Sequence, residues 1–317
     1  MELSVVIPVY NEEENVEPLF GEIQGVLRGL GKSYEIVAVD DGSKDGTFAA
    51  LSRLYRCDPA VKVVRLKRNF GQTAALAAGL AHAEGEIVVL MDGDMQNDPA
   101  DIPALLAKLD EGNDLVAGWR HRRRDSFFSR RLPSMIANRL ISWTTKVKLH
   151  DYGCTLKAMR RDVAKGLRLY GEMHRFIPAI AYERGAQVAE LKVNHRPRTR
   201  GASKYGISRT LRVILDLLTV KFLTSYSTRP AHVFGPIGVA SGILGFALAL
   251  YLTAQKVVYN VDIGSRPLLL LAVLLIFIGF QFVTMGLLGE MLARTYHESQ
   301  DRPVYVVGEV LRRGGSA

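Results

Sequence analysis

Apolar positions along this chain follow two different patterns. Up to about residue 120 they form short continuous runs, at 3–9, 35–40, 61–66, 86–92 and 115–119. Runs of that length, rich in Val and Ile, predict buried strands. Helical segments lie between them, among them an alanine-rich stretch after Gln72 and a segment that Pro99 is placed to open. Continuous apolar strands alternating with helices predict βαβ units and a mostly parallel central sheet covered on both faces, an α/β fold. Beyond residue 205 the pattern changes. Ile207, Leu211, Leu215, Leu218 and Phe222 recur every three or four positions, with Arg209, Arg212, Asp216 and Lys221 on other faces. That is an amphipathic helix suited to a lipid interface. The stretches 233–252 and 267–288 are then each long enough to cross a bilayer, which needs roughly 20 apolar residues. Their short connector, 253–266, makes them a hairpin with both ends on one side.

The expected organisation is thus an α/β domain over 1–204, an amphipathic juxtamembrane helix over 205–232, two transmembrane helices over 233–290 and a tail over 291–317. Lys221, Arg229, Arg294 and Arg302 flank the hairpin and outnumber Lys256 and Arg266 in its connector. This bias puts the α/β domain and both termini on the cytoplasmic side of an inner membrane. The absence of a signal-peptide pattern at the start agrees.

Charge narrows the partners. Lys and Arg number 41 against 32 Asp and Glu, a net +9 that points to phosphates, nucleic acid or a lipid surface. The densest basic run, Trp119-Arg-His-Arg-Arg-Arg124, has no interleaved stacking aromatics of the kind that read RNA, so nucleic acid is not expected as a partner. The two cysteines, Cys57 and Cys154, offer neither a disulfide framework nor a zinc cluster, and no histidine is placed by sequence to activate Cys154. His174 lacks a partner at metal-ligand spacing and reads as a hydrogen-bonding histidine.

The chemistry is expected at the strand ends. The first four runs finish in Tyr10/Asn11, Asp40/Asp41, Asn69/Gly71 and Asp92/Asp94, and ligands of parallel sheets bind at that edge. Asn11 can cap the following helix, whose first turn is acidic. Asp92 and Asp94 admit two readings. They cap the next helix, or they hold a hard cation with Gln96, since close carboxylates repel unless a cation lies between them. No Gly-x-Gly-x-x-Gly or Walker loop occurs, which argues against a dinucleotide dehydrogenase and a P-loop NTPase. A second candidate is the loop 196–205, where Arg200, Ser203 and Lys204 can meet a phosphate.

Ser4-Val-Val-Ile-Pro-Val-Tyr-Asn-Glu12, Val39-Asp-Asp-Gly-Ser43 and Asp92-Gly-Asp-Met-Gln96 together resemble the family 2 glycosyltransferases of GT-A fold. The two C-terminal spans and Gly201-Ala-Ser-Lys-Tyr205 resemble the polyprenyl-phosphate branch, which includes dolichol-phosphate mannose synthases. Asn69-Phe-Gly-Gln72, Asp151-Tyr-Gly-Cys154, Phe176-Ile-Pro178 and Met285-Gly-Leu-Leu-Gly-Glu290 resemble the undecaprenyl-phosphate 4-deoxy-4-formamido-L-arabinose transferases. The resemblance covers nearly the whole chain and departs at Gly93, where many relatives carry Ala. It implies inverting transfer of a sugar from a nucleotide-sugar, UDP-linked, to a polyprenyl phosphate, by a homo-oligomer such as a tetramer. It implies a donor site at Pro8, Tyr10, Glu12, Asp40, Gln72 and Asp92, with Mg2+ or Mn2+ on Asp92, Asp94 and Gln96. The acceptor phosphate would fall to Arg120, Arg123, Arg200, Ser203 and Lys204, and Asp92, Asp94, Arg120 and Arg200 are the residues nearest the chemistry. Three alternatives stand beside it: a GDP-mannose-dependent synthase, a processive polysaccharide synthase, and a non-catalytic membrane protein that binds lipid or nucleotide-sugar. The processive enzymes carry a Gln-x-x-Arg-Trp tetrad that does not occur here.

Overall fold

The structure, a computed structural model, describes residues 1–121, 147, 149–171, 173–197 and 304–312, with scattered helical positions between 277 and 295. Strand β1 (Leu3–Val9) leads through α1 (Glu13–Gly29) to β2 (Tyr34–Asp40), α2 (Thr47–Cys57), β3 (Val61–Leu66), α3 (Gln72–His82) and β4 (Ile87–Leu90). A 3-10 turn at Pro99–Asp101 opens α4 (Ile102–Asp110), and β5 (Leu115–Arg120) follows. Next come β6 (Lys157–Arg160), α5 (Arg161–Gly166), a second 3-10 turn at Met173–Phe176, α6 (Ile177–Glu183) and β7 (Val188–Val193). Strand β8 (Val307–Leu311) closes the series.

All eight strands form one sheet in the order β7-β5-β6-β4-β1-β2-β3-β8. β1 is parallel to both β2 and β4, with Val9 opposite Asp40 and Val6 opposite Leu90. β2 and β3 are parallel, as are β5 and β7. The sheet is mixed, because β6 runs antiparallel between β4 and β5 and β8 runs antiparallel to β3. The chain winds from β1 outward through β2 and β3, then returns to the other side of β1 as β4. The connections therefore diverge between the carboxyl ends of β1 and β4, which is where such sheets open a crevice.

Burial explains the alternation. Val5, Val6 and Ile7 of β1 and Ile36 to Val39 of β2 are fully enclosed, because helices cover both faces. Helix α1 buries Val16, Leu19, Phe20, Ile23 and Leu27 at helical spacing and leaves its other face to solvent. Helix α3 is buried on most sides and built from small residues, so it lies close over β1 and β2. At the opposite end of the strands, Glu35 is buried and accepts from the Ser4 hydroxyl at 2.5 Å and the Glu84 amide at 2.6 Å. Lys62 lies 2.6 Å from its second oxygen, so this buried carboxylate ties β1, β2 and β3 together away from the strand ends that matter for chemistry.

Two expectations need correction. Asn11 does not cap α1. It sits at φ 52, in the left-handed region, and its side chain accepts from the Lys44 amide at 2.9 Å; the capping position is Glu12. The side chain is used to bridge two strand-end loops. The segment 291–317 is not wholly a tail, since β8 is a member of the catalytic sheet. By compactness 1–217 and 303–317 form one unit and 218–302 another. Arg123, Arg200, Ser203 and Lys204, the juxtamembrane helix and the first expected span lie outside the described residues, as does most of the second span. Among the described residues no helix is long and apolar enough to cross a membrane. Positions 277, 280, 281, 284, 288, 291, 292 and 295 are helical, and Phe277, Leu288 and Leu292 among them are exposed.

β8 covers the edge of β3, which would otherwise present unpaired backbone groups. Removing residues 303–317 from the full-length protein should lower the thermal midpoint by about 5 °C or more and promote association. Thermal unfolding with light scattering checks this; an unchanged midpoint and scattering would show that β8 contributes nothing.

Candidate active site

Three loops at the crevice are stitched together by side chains. The Asn11 amide donates to Ser43 Oγ at 3.0 Å and the Glu12 amide to Thr47 Oγ1 at 2.9 Å, which joins the loop after β1 to the loop after β2. Asp41 joins that loop to the one after β3, accepting from the amides of Phe70 at 2.7 Å and Gly71 at 2.9 Å. Burial pushes the Asp41 carboxyl up, against the pull of those two amides. Gly42 makes this contact possible. Its φ is 67, and a Cβ there would lie 2.4 Å from the Arg68 carbonyl carbon, so no side chain fits in either respect.

The expected donor residues fall on this surface in different states. Pro8 and Tyr10 are half-buried at the end of β1. Asp40 is fully buried, with one oxygen accepting from the Ser43 amide at 2.9 Å and the other 3.5 Å from Arg65 Nε. Oδ1 is thus engaged inside the loop, while Oδ2 is buried without a hydrogen bond. The Glu12 carboxylate accepts from Asn15 Nδ2 at 2.6 Å.

Across the crevice, β4 ends in the acidic loop. Asp92 Oδ1 accepts from Gln72 Nε2 at 2.7 Å, so the first residue of α3 reaches over the sheet to hold it. Thr155 hydrogen-bonds the same carboxylate. Desolvation, and then the charge of Asp94, push Asp92 up to about 6, while Thr155, Arg120 and Lys157 pull the other way. Asp94 Oδ1 accepts from the Gln96 amide at 3.1 Å, which closes a turn through Met95 at φ 60. Gly93 is tightly placed: a Cβ would lie 2.6 Å from Val9 Cγ1 and 3.1 Å from the Pro8 carbonyl. An Ala here would require the Val9 side chain or this loop to shift.

Arg120 lies at the end of β5 and is clamped. Its Nε and Nη2 donate to the two oxygens of buried Asp151 at 2.7 and 3.0 Å. Burial works against the guanidinium charge, but the Asp151 pair outweighs it and holds the group above the ordinary arginine value. Asp151 is fixed in turn by Glu190, whose Oε1 accepts from the His150 and Asp151 amides at 2.9 and 3.0 Å. Glu190 Oε2 lies 2.7 Å from His150 Nδ1, and the His150 ring stacks on Trp119 with centroids 4.1 Å apart. Next to the pair, Lys157 is buried and donates to the Cys154 carbonyl; desolvation pushes its ammonium down while Cys154, Asp151 and Asp92 favour its charge. Among the described residues, the cluster sets three carboxylates (Asp92, Asp94, Asp151) against two cations (Arg120, Lys157).

Sequence reading identified Asp92, Asp94, Gln96, Gln72 and Arg120, and the structure brings all five to this crevice. It missed Thr155, Lys157 and Glu190. Neither Lys157, at the start of the short strand β6, nor Glu190 carried a local signal, because the value of each comes from the strands beside it. Among the described residues no group of three or more His, Cys, Asp or Glu gathers to hold a metal. The donor set here is two carboxylates and an amide. Oxygen donors with unrelieved repulsion suit a hard divalent cation, so the residues fit that group. His174 is, as expected, a hydrogen-bonding histidine, with Nδ1 2.7 Å from Thr73 Oγ1.

A mixed, mostly parallel α/β sheet with an acidic strand end at its switch point has the architecture of the GT-A fold. Residues 4–168 match the model of glycosyl transferase family 2, and the chain belongs to that family and is a glycosyltransferase. It is 45% identical to a dodecaprenyl-phosphate galacturonate synthase from Rhizobium johnstonii, over 98% of this chain and 93% of that one. It is 40% identical to an undecaprenyl-phosphate 4-deoxy-4-formamido-L-arabinose transferase from an Enterobacter species, over 98% and 94%. Among solved structures it resembles the glucosyl-3-phosphoglycerate synthase of Mycobacterium tuberculosis in complex with Mn2+, UDP and glucosyl-3-phosphoglycerate. The TM-score is 0.56 at 21% identity, over 70% of this chain and 79% of that one.

Cys154 borders this cluster but is buried, and desolvation pushes its thiol up to about 11. At pH 8 only about one part in a thousand is thiolate, so it is no nucleophile. Alkylation of the native protein at that pH should label exposed Cys57 alone, and denaturation should release the second thiol; equal native labelling of both would show that the cluster opens.

Proposed function

We propose that this enzyme transfers a sugar, with inversion, from a UDP-sugar to a polyprenyl phosphate at the cytoplasmic face of the membrane. The observation that carries the acceptor class is the 45% identity, over almost the full length of both chains, to a synthase named for a dodecaprenyl phosphate. The donor side rests on the crevice. The structural neighbour was solved with Mn2+ and UDP-glucose, and in this chain Asp92, Asp94 and Gln96 are the oxygen donors that would hold Mg2+ or Mn2+. When bound, such an ion supplies positive charge to the departing nucleoside diphosphate.

The remaining work falls to the chain's own groups. Gln72 and Thr155 hold Asp92 in place, and Tyr10 and Pro8 line the surface offered to the nucleoside. Arg120 has Nε and Nη2 committed to Asp151, which leaves Nη1 to offer to a phosphate or sugar oxygen. An acceptor phosphate monoester, with a second pKa of about 6, is largely dianionic at neutral pH and needs no general base. Its oxygen attacks the anomeric carbon opposite the leaving group, a new carbon–oxygen bond forms, and the electron pair of the old one departs with the diphosphate. Arg200, Ser203 and Lys204, with Arg123, are the groups proposed to receive the acceptor phosphate. The stretches 233–252 and 267–288 are proposed to anchor the enzyme where that lipid resides, and exposed Phe277 and Leu288 support an apolar surrounding for the second. Identity to the galacturonate synthase exceeds that to the arabinose transferases, so UDP-galacturonate comes first among donors to test.

The test is transfer of labelled sugar into extractable lipid by the purified full-length enzyme, with undecaprenyl phosphate and a panel of UDP- and GDP-sugars. Turnover with a UDP-sugar that is lost in EDTA and restored by Mg2+ or Mn2+ is expected; turnover with GDP-mannose alone would replace this reading. D94N should lower turnover by about 100-fold or more while the thermal midpoint holds. Near-normal D94N turnover would remove the metal role. Replacing Arg200 and Lys204 with Ala should raise KM for the lipid about tenfold or more and leave that for the donor nearly unchanged. A loss confined to the donor would show the acceptor assignment to be wrong.

A further inference from the structure

The loop that follows the acidic pair is held from outside. Met95 lies at φ 60 without being glycine, a conformation that is costly for an L side chain and persists only where its surroundings impose it. Those surroundings are three consecutive residues that leave β7. The Arg196 amide donates to the Gln96 carbonyl at 3.0 Å, and His195 Nδ1 lies 3.3 Å from the same oxygen. Asn97 and His195 form an antiparallel bridge, while the Asn97 side chain accepts from the Asp92 amide at 3.3 Å. Asn194 donates its amide to Asp101 Oδ2 at 2.7 Å. The Arg196 guanidinium spans two carboxylates: Nη2 reaches Asp98 Oδ1 at 2.8 Å, and Nη1 reaches Glu22 Oε2 of α1 at 2.7 Å. Asp98 also caps the turn that opens α4, accepting from the Ala100 amide at 3.0 Å. One side chain thus ties Asp98, at the end of the acidic loop, to α1 and to the segment that follows β7.

We propose that Arg196 is a positioning residue for the metal–diphosphate site: it holds the left-handed turn at Met95 closed, so that Asp94 and Gln96 are kept together as ligands. This rests on the reading of Asp92, Asp94 and Gln96 as the cation site. Arg196, Glu22 and Asp98 are half-buried, and ion pairs this open to solvent add little to global stability. The effect of Arg196 is therefore local to the loop.

The test follows MnCl2 binding to the full-length enzyme by electron paramagnetic resonance in the presence of UDP, alongside UDP binding without metal and the metal-free thermal midpoint. R196A should weaken Mn2+ binding by about tenfold while the other two readings change little. E22Q, which removes only the outer arm, should give a smaller loss. In the R196A background, M95G should recover much of the binding, because glycine adopts the left-handed turn without strain. Wild-type Mn2+ binding in R196A overturns the proposal, as does a double variant no better than R196A, or an equal loss of metal-free UDP binding with a fallen midpoint. D94N separates the two levels. If D94N binds Mn2+ normally, the cation site itself is misassigned; if D94N loses binding and R196A does not, only the role of Arg196 fails.

Discussion

Two carboxylates one residue apart at the mouth of a buried strand repel each other, and the surrounding structure is arranged around that repulsion. Asp92 is held by Gln72 from one helix and Thr155 from the loop before β6, and it feels two cations from neighbouring strands. These contacts fix the acid, while Arg120 gives two of its donors, Nε and Nη2, to Asp151. The repulsion between Asp92 and Asp94 is what a bound divalent cation would offset.

The same constraint orders the rest of the crevice. Asp41 ties the β2 loop to the β3 loop, Gly42 lets their backbones touch, and the loop after β3 then delivers Gln72 to Asp92. On the other side, Glu190 holds Asp151, which holds Arg120. Each polar group near the chemistry is oriented by another polar group one element away, so few of these side chains are free to turn. That arrangement keeps the reorganisation cost low when charge moves during transfer.

Much of this was legible in the sequence. Continuous Val and Ile runs gave the strands, and their polar ends gave Asp92, Asp94 and Gln96, because those signals are local, while Gln72 came with the family resemblance. What escaped was set by strand order. β6 enters between β4 and β5, and only this places Lys157 and Thr155 next to Asp92. Glu190 matters because β7 pairs with β5, a contact 70 residues apart that no periodicity announces. Asn11 was misjudged for a related reason: its amide chemistry suits a cap, but a loop from β2 lies close enough to claim it first.

The return of the chain as β8 has a consequence in time. β3 ends at Leu66 and its partner begins at Val307, so about 240 residues are made between one strand and its neighbour. At roughly 5 to 20 residues per second, that interval lasts on the order of 10 to 50 s. During it the sheet has an open edge while the second unit, 218–302, is being synthesised and placed. The last strand can dock only once that unit has been made, so completion of the catalytic sheet reports that residues 218–302 have been synthesised.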